Sequence, residues 1–337
     1  MIERLIEYCA KNRFLVIILV GFAAGAGIWA VRTVPLDAIP DLSDPQVIIF
    51  TEWPGRSPNL VEDQVTYPIV SRMLSAPQST DVRGYSFLGL SFVYVLFEEG
   101  TDIYWARSRV LEYLSGLTGD LPDDVNPQLG PDATGVGWGF QYALVDKSGE
   151  NDLEEMTAFQ DWYLRYWLSS VDGVAEVATV GGFKKQYQVT LDPEKLLAYN
   201  LPVGKIRSAI RNSNDEVGGR TLEMTGREYF IRGRAYIESP EDLENVSVGL
   251  GPDGTPLLLG DVADVQIGPD MRRGIADLNG EGEVVGGIVV VRFGENVLDV
   301  IDRVKTKIEE VEPGFPEGVE LVTTYDRSDL IQRSIAT

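Results

Sequence analysis

The sequence contains no histidine and a single cysteine, Cys9. Without histidine there is no Ser-His-Asp triad and no histidine general base. With one cysteine besides, no ordinary Cys/His zinc site can be assembled from one copy of the chain, and no intramolecular disulfide can form. Basic residues are also scarce: 29 Lys and Arg stand against 52 Asp and Glu, a formal net charge of −23. Such a surface repels a phosphate backbone, which excludes nucleic acid as a partner. A phosphate-cradling loop ending in Lys-Ser/Thr is missing, and the glycine-rich run Gly135-Val136-Gly137-Trp138-Gly139 precedes a strand, the wrong context for dinucleotide binding. These gaps predict a protein that is not an enzyme and that has no covalently bound cofactor.

What is present is the makeup of a folded protein. Hydrophobic residues at 44% and charged residues at 24% exclude a disordered chain, and 337 residues allow two or three domains. The 35 Gly and 18 Pro predict many tight turns rather than a helix bundle.

Phe14 to Val31 is an 18-residue stretch without charge, flanked by Lys11, Arg13 and Arg32. As a helix it would be roughly 27 Å long, near the hydrocarbon thickness of a bilayer. A secretory leader is the alternative, but its apolar region is usually only about 7–15 residues. Arg4, Lys11 and Arg13 precede the stretch, whereas Arg32 is the sole basic residue from there to Thr51, beside Asp37, Asp41 and Asp44. The positive-inside rule therefore puts the N-terminus in the cytoplasm and the chain beyond Arg32 outside. Cys9 falls on the reducing side. The leader through Arg13 carries three basic and two acidic residues, so a charge of −24 belongs to the remainder.

Beyond this helix the pattern predicts strand (Gln46 to Trp53), helix (Asn59 to Leu74), two strands broken near Gly89 (Val82 to Phe97), helix (Asp102 to Leu117) and a short strand. Val61, Val65, Ile69 and Met73 share one helical face, and Thr101 or Asp102 is the N-cap of the second helix. The order β-α-β-β-α-β is that of the ferredoxin-like, split βαβ unit. It then repeats: strand Gly139 to Val145, helix Leu153 to Ser170, strand Val174 to Val180 and, much later, strand Val284 to Phe293, helix Asn296 to Val311 and strand Val319 to Thr323. A β-rich insertion, Phe183 to Asp277, interrupts the second copy; it holds a strand around Tyr187 to Leu191, a short helix at Val203 to Asn212 and a strand at Glu228 to Ile237. Asn279-Gly280 reads as a tight hairpin turn.

Metal-binding candidates are few. Asp120, Asp123 and Asp124 form one loop cluster, and Asp41 with Asp44 another, but neither has calcium-loop spacing, so both read as solvated loops. Thioether sulfur suits Cu(I) and Ag(I). Met73 and Met156 lie at apolar helical positions and read as core; Met224 lies in a polar loop, Leu222-Glu-Met-Thr-Gly226, and Met271, in Gly268-Pro-Asp-Met-Arg-Arg-Gly274, is the better candidate for a metal contact.

Several runs carry a resemblance: Pro40-Asp-Leu-Ser-Asp-Pro-Gln-Val47, Val65-Thr-Tyr-Pro68, Gly100-Thr-Asp-Ile-Tyr-Trp-Ala-Arg-Ser-Arg-Val-Leu-Glu112, Gly130-Pro-Asp-Ala-Thr-Gly-Val-Gly-Trp138, the stretch from Gly268 to Gly282, and Thr323-Thr-Tyr-Asp-Arg-Ser328. Together they resemble the heavy-metal branch of the resistance-nodulation-division efflux pumps, and its copper/silver members more than its cobalt/zinc/cadmium ones. The resemblance implies an α+β architecture. Residues 1–32 would be a cytoplasmic leader and the first transmembrane helix, 33–135 a first ferredoxin-like porter subdomain, and 136–182 with 278–330 a second. Residues 183–277 would be a docking subdomain, and 331–337 the approach to a second transmembrane helix. It also implies that the chain is the N-terminal third of a proton-driven inner-membrane exporter of Cu(I)/Ag(I). That exporter would be a homotrimer with a periplasmic adaptor and an outer-membrane channel. Met271 would be an accessory metal contact, and the main metal and proton-relay residues would lie beyond Thr337. A single-span, membrane-anchored periplasmic binding or assembly module is the alternative.

Overall fold

The computed structural model describes all residues except 1, 34–36, 38, 40, 118, 235, 252–253, 271, 273 and 337. The described residues divide into two compact units. One comprises residues 1–151, 159–180 and 276–337; the other comprises 152–158 and 181–275.

The first unit opens with two helices, α1 (Ile2–Lys11) and α2 (Arg13–Thr33). In α2 the window Arg13–Ala30 is long and apolar enough to cross a membrane, and none of it is buried within the protein. An apolar helix with no protein packed around it needs an apolar environment from elsewhere.

Strands β1 (Gln46–Glu52), β2 (Ser79–Phe87), β3 (Leu90–Phe97) and β4 (Gln128–Leu129) form an antiparallel sheet in the order β2-β3-β1-β4. Side chains alternate across a strand, and the register uses this: Val47 opposes Val95 and Ile49 opposes Val93, all four within 1% of complete burial. Helix α3, built from the consecutive stretches Pro58–Val61, Glu62–Thr66 and Tyr67–Met73, lays Val61, Val65, Ile69 and Met73 on that face. Helix α4 (Ile103–Ser115) adds Ile103, Ala106 and Val110. Its N-cap is Asp102, whose carboxylate accepts from the Trp105 N–H at 2.7 Å. The middle stretch of α3 is a π-turn, in which the Tyr67 N–H reaches back five residues to the Glu62 carbonyl.

The second sheet has β5 (Trp138–Asp146), β6 (Val174–Gly181), β13 (Val285–Val291) and β14 (Val319–Asp326) in the order β14-β5-β13-β6. Counted within its own group, this is the same arrangement as in the first sheet: second, third, first, fourth. Its helices are α10 (Val297–Val311) and α5 (the stretches Leu153–Phe159, Gln160–Leu164 and Arg165–Ser169), of which the residues before Phe159 belong to the other unit. Helix α5 also contains a π-turn, closed by the Arg165 N–H on the Gln160 carbonyl. Within this group Tyr142 is buried and donates to Gln160 at 2.9 Å, and burial raises its phenol pKa. A Cβ on Gly287 would lie 2.2 Å from the Tyr142 ring, so the position has room for glycine alone. Helix α11 (Arg327–Ala336) follows directly on β14.

The second unit holds β7 (Lys185–Leu191), α6 (Pro193–Ala198), α7 (Val203–Ser213), β8 (Glu216–Met224), β9 (Arg227–Arg234), α8 (Pro240–Glu244), β10 (Ser247–Leu250), β11 (Pro256–Leu258), α9 (Leu259–Val262) and β12 (Ala263–Pro269). Strands β7 and β12 pair along their whole length, and a small core gathers Leu201, Ile206, Leu243, Val248, Leu259 and Val262. Two expectations are corrected here. The strand placed at Glu228 to Ile237 spans Arg227–Arg234, and its partner β8 was not foreseen. Met224 is therefore not in a loop: it ends β8 opposite Arg227, before a turn in which Thr225 and Gly226 both have positive φ. The Asn279-Gly280 turn forms with the mirror-image geometry expected, both residues at positive φ, but it is flanked by a single bridge between Asp277 and Glu283 rather than by a hairpin ladder.

Candidate functional site: an ionic junction at Arg327

Arg327 begins α11 and is 2% exposed, the bulkiest of the fully buried side chains. A guanidinium presents five N–H donors in a rigid fork and cannot lose its charge, so its burial demands acceptors. Two segments far apart in sequence supply them. Nη2 pairs with Asp37 Oδ2 at 2.9 Å and donates to the Ile39 carbonyl at 3.3 Å. Nη1 donates to the Val136 carbonyl. Nε has no partner among the described residues. Arg327 is the buried member of this pair and Asp37 reaches solvent, so removing Asp37 would leave a buried guanidinium short of a partner, whereas removing Arg327 would leave a carboxylate that water can reach.

A second tie lies beside the first. Thr134 Oγ1 donates to Asp41 Oδ2 at 2.6 Å, and the Ser43 N–H caps the other oxygen at 3.0 Å. Burial alone would raise the Asp41 pKa, but these hydrogen bonds and the Arg327 charge outweigh it and hold the carboxyl below its ordinary value. Asp326, the neighbour of Arg327, behaves the same way. Burial pushes it up; Lys305, which forms an ion pair with it, and Ser328, which donates at 2.6 Å, bring it below the usual range.

The segment from Gly130 to Gly137 joins the two sheets in sequence, running from the end of β4 to the start of β5. It is fastened along its length. The Gly130 N–H donates to Ile48 of β1 at 2.7 Å, and its carbonyl accepts from Arg107 at 2.8 Å. Asp132 accepts from the Tyr104 hydroxyl at 3.1 Å and pairs with Arg292 at 2.8 Å. The Gly137 carbonyl accepts from Val291 of β13 at 2.7 Å, and a Cβ on Gly137 would sit 3.0 Å from the Val291 carbonyl. That approach explains a glycine at the third position of the Gly135-Val136-Gly137 run.

The junction therefore unites four of the runs singled out in the sequence: those at 40–47, 100–112, 130–138 and 323–328. Asp41 is an exposed loop carboxylate, as expected, and it also accepts from Thr134. Arg327 and Asp37 were not foreseen as site residues. The available signal was a lone arginine next to an aspartate at a strand-to-helix boundary, and nothing local in a sequence marks such a side chain as buried.

Met271 lies outside the described residues. Met73 and Met156 are buried, as expected of core positions, and Met224 is 55% exposed. Among the described residues no group of three or more carboxylate or cysteine side chains converges to hold a metal ion.

Comparison with known proteins is consistent across sequence and structure. Residues 5–337 match the AcrB/AcrD/AcrF family. The chain is 52% identical over 335 residues to the cation efflux system protein SilA of Salmonella typhimurium and, at the same identity and length, to the cation efflux system protein CusA of Escherichia coli. Each alignment takes in 99% of this chain and 32% of the relative, so the chain spans about a third of the length of these proteins. An X-ray crystal structure of a heavy metal efflux pump superposes with a TM-score of 0.88 at 30% identity, covering 99% of this chain and 33% of the other. The chain belongs to the AcrB/AcrD/AcrF family of resistance-nodulation-division transporters.

Proposed function

We propose that this chain forms part of an inner-membrane pump that exports Cu(I) or Ag(I) in exchange for protons. The observation that carries the reading is the 52% identity, sustained over 335 residues, to two proteins named for cation efflux. The metal rests on the sequence runs shared with copper/silver members of the family, and on the absence of histidine, since borderline divalent ions usually draw on imidazole while soft monovalent ions accept methionine sulfur. Export moves an ion without making or breaking a covalent bond to it, so no catalytic residue is required.

In this reading α2 crosses the membrane with its N-terminus in the cytoplasm, and the rest is periplasmic. Each four-stranded sheet with its two helices is a ferredoxin-like porter subdomain, 33–135 and 136–182 with 278–330. The identical strand orders of the two sheets support that assignment. Residues 183–277 are a docking subdomain that meets the neighbouring protomer of a trimer. The β8–β9 ribbon supports this role. Phe230 is 82% exposed, with Leu222, Met224, Tyr229 and Ile231 also exposed, and a two-stranded hairpin is marginal on its own. Adaptor and outer-membrane channel partners complete the pathway. The proton relay and principal metal site belong to other parts of the pump, and Met271 is an accessory contact.

The test is resistance. Cells lacking their own copper and silver exporters, given the pump that carries this chain, gain resistance to both ions. Resistance to zinc, cobalt or cadmium with no gain against copper or silver would overturn the metal. Full resistance conferred by residues 1–337 alone would overturn the reading of this chain as part of a larger transporter.

A further inference from the structure

The junction at Arg327 has a shape that stability alone does not require. A buried ion pair replaced by apolar side chains of similar size is often neutral or stabilising, so a core position would be served as well by methionine or leucine. What a guanidinium adds is geometry, because its planar fork fixes the acceptors around it in direction as well as distance. Here the acceptors are Asp37 and Ile39, between α2 and β1, and Val136, at the entrance to the second sheet. Arg327 itself closes that sheet and starts α11. Thr134 on Asp41 repeats the connection one step along, and Asp132 on Tyr104 and Arg292 joins α4 of the first sheet group to the end of β13 in the second. The short connector between the sheets is thus held at positions 132, 134 and 136 by groups from both sides.

We infer that Arg327 is a positioning residue for transport: its guanidinium clasps the segment leaving the apolar helix α2 to the connector between the two sheets, so that a displacement of either is passed to the other. Hydrogen-bonded and ionic networks of this kind carry coupling between distant parts of a protein when the elements they join have alternative placements. The inference rests on the transport reading above. It predicts that loosening the clasp slows turnover while leaving metal recognition, which the junction does not perform, unchanged.

The experiment uses the complete pump reconstituted in vesicles, with Ag(I) uptake measured against metal concentration. Arg327→Met keeps the length of the side chain and removes the fork. It is expected to lower the maximal rate at least tenfold with the half-saturating concentration unchanged, and Arg327→Lys to recover part of the rate. Amide hydrogen exchange is expected to accelerate together at residues 41–46 and 134–138, two segments remote in sequence, without acceleration in β3 or α10. An Arg327→Met pump at the wild-type rate overturns the inference. So does a loss accompanied by weaker half-saturation and uniformly faster exchange, which is the mark of general destabilisation. If Arg327→Met fails to assemble, Thr134→Val decides: a lower maximal rate at constant half-saturation supports the clasp, and an unchanged rate overturns it. A wild-type pump that moves no metal contradicts the transport reading instead, which keeps the two failures apart.

Discussion

Thr134 donates to Asp41 at 2.6 Å across 93 positions of sequence. The bond joins the segment before the first sheet to the connector before the second, and it is charge-assisted, so it is stronger than a neutral pair. Thr134→Val removes the donor from an exposed carboxylate that keeps its Ser43 N–H partner. Destabilisation of about 0.5–1.5 kcal/mol is expected, measured by urea unfolding of the detergent-solubilised chain through its tryptophan fluorescence.

Acid should weaken the same region. Asp41 and Asp326 both have folded pKa values below the ordinary 3.8. A carboxylate with a depressed folded pKa contributes stability that is complete above its unfolded value and is lost as pH falls through the folded one. Stability should therefore stay level from neutrality down to about pH 5 and decline below about pH 4. Asp41→Asn and Asp326→Asn should each make that decline shallower while lowering the neutral plateau. A decline that begins near pH 6, or that is unaltered by both substitutions, would contradict this account.

Gly287 and Tyr142 give a packing test. An added Cβ would lie 2.2 Å from the ring, which is itself anchored by Gln160. Gly287→Ala should cost about 1–3 kcal/mol or more through overpacking. Gly204→Ala, in helix α7 with nothing within 4 Å of the new atom, should instead stabilise by up to about 1 kcal/mol through helix propensity. Parallel urea titrations of the two variants compare them directly.

The ribbon of β8 and β9 gives a test that separates folding from assembly. Phe230→Ser should leave urea unfolding within about 0.5 kcal/mol of wild type, since the ring is 82% exposed. In the complete pump it should lower the trimer fraction seen by native mass spectrometry. An unchanged trimer would remove Phe230 from the proposed interface.

Much of this architecture was legible because its core elements obey simple periods. Ile49 and Val93 sit in strands whose buried residues alternate, and α10 carries an apolar stripe at mixed three- and four-residue steps; both patterns are direct consequences of backbone geometry. Asp102 could be read as a cap because Ser, Thr, Asp and Asn favour that position. Strand β8 could not, because Gly218, Gly219 and Arg220 interrupt any alternation and the ribbon has no core to impose one. Arg327 and Asp37 escaped for a different reason. Their significance lies in a contact spanning 290 positions, and local pattern holds no information about which distant segments will meet.

The π-turns of α3 and α5 explain a regularity in the apolar residues. Val61, Val65, Ile69 and Met73 are buried in the first helix, and Met156, Gln160, Leu164 and Leu168 in the second, every step being four residues. An α-helix has 3.6 residues per turn, so four residues overshoot a full rotation by about 40°, and three such steps would swing the last residue about 120° off the sheet. A turn closed across five residues takes in more chain per rotation and cancels most of that drift. Helix α10, with its mixed steps, needs no such correction and has none. The wide turn is thus a phase adjustment, and an unbroken repeat of four along a helix of this length forecasts it. Deleting one residue inside Glu62–Thr66 would convert the turn to ordinary α-helix and still leave both flanks facing the sheet, whereas the same deletion between Tyr67 and Met73 would turn Met73 out of the core.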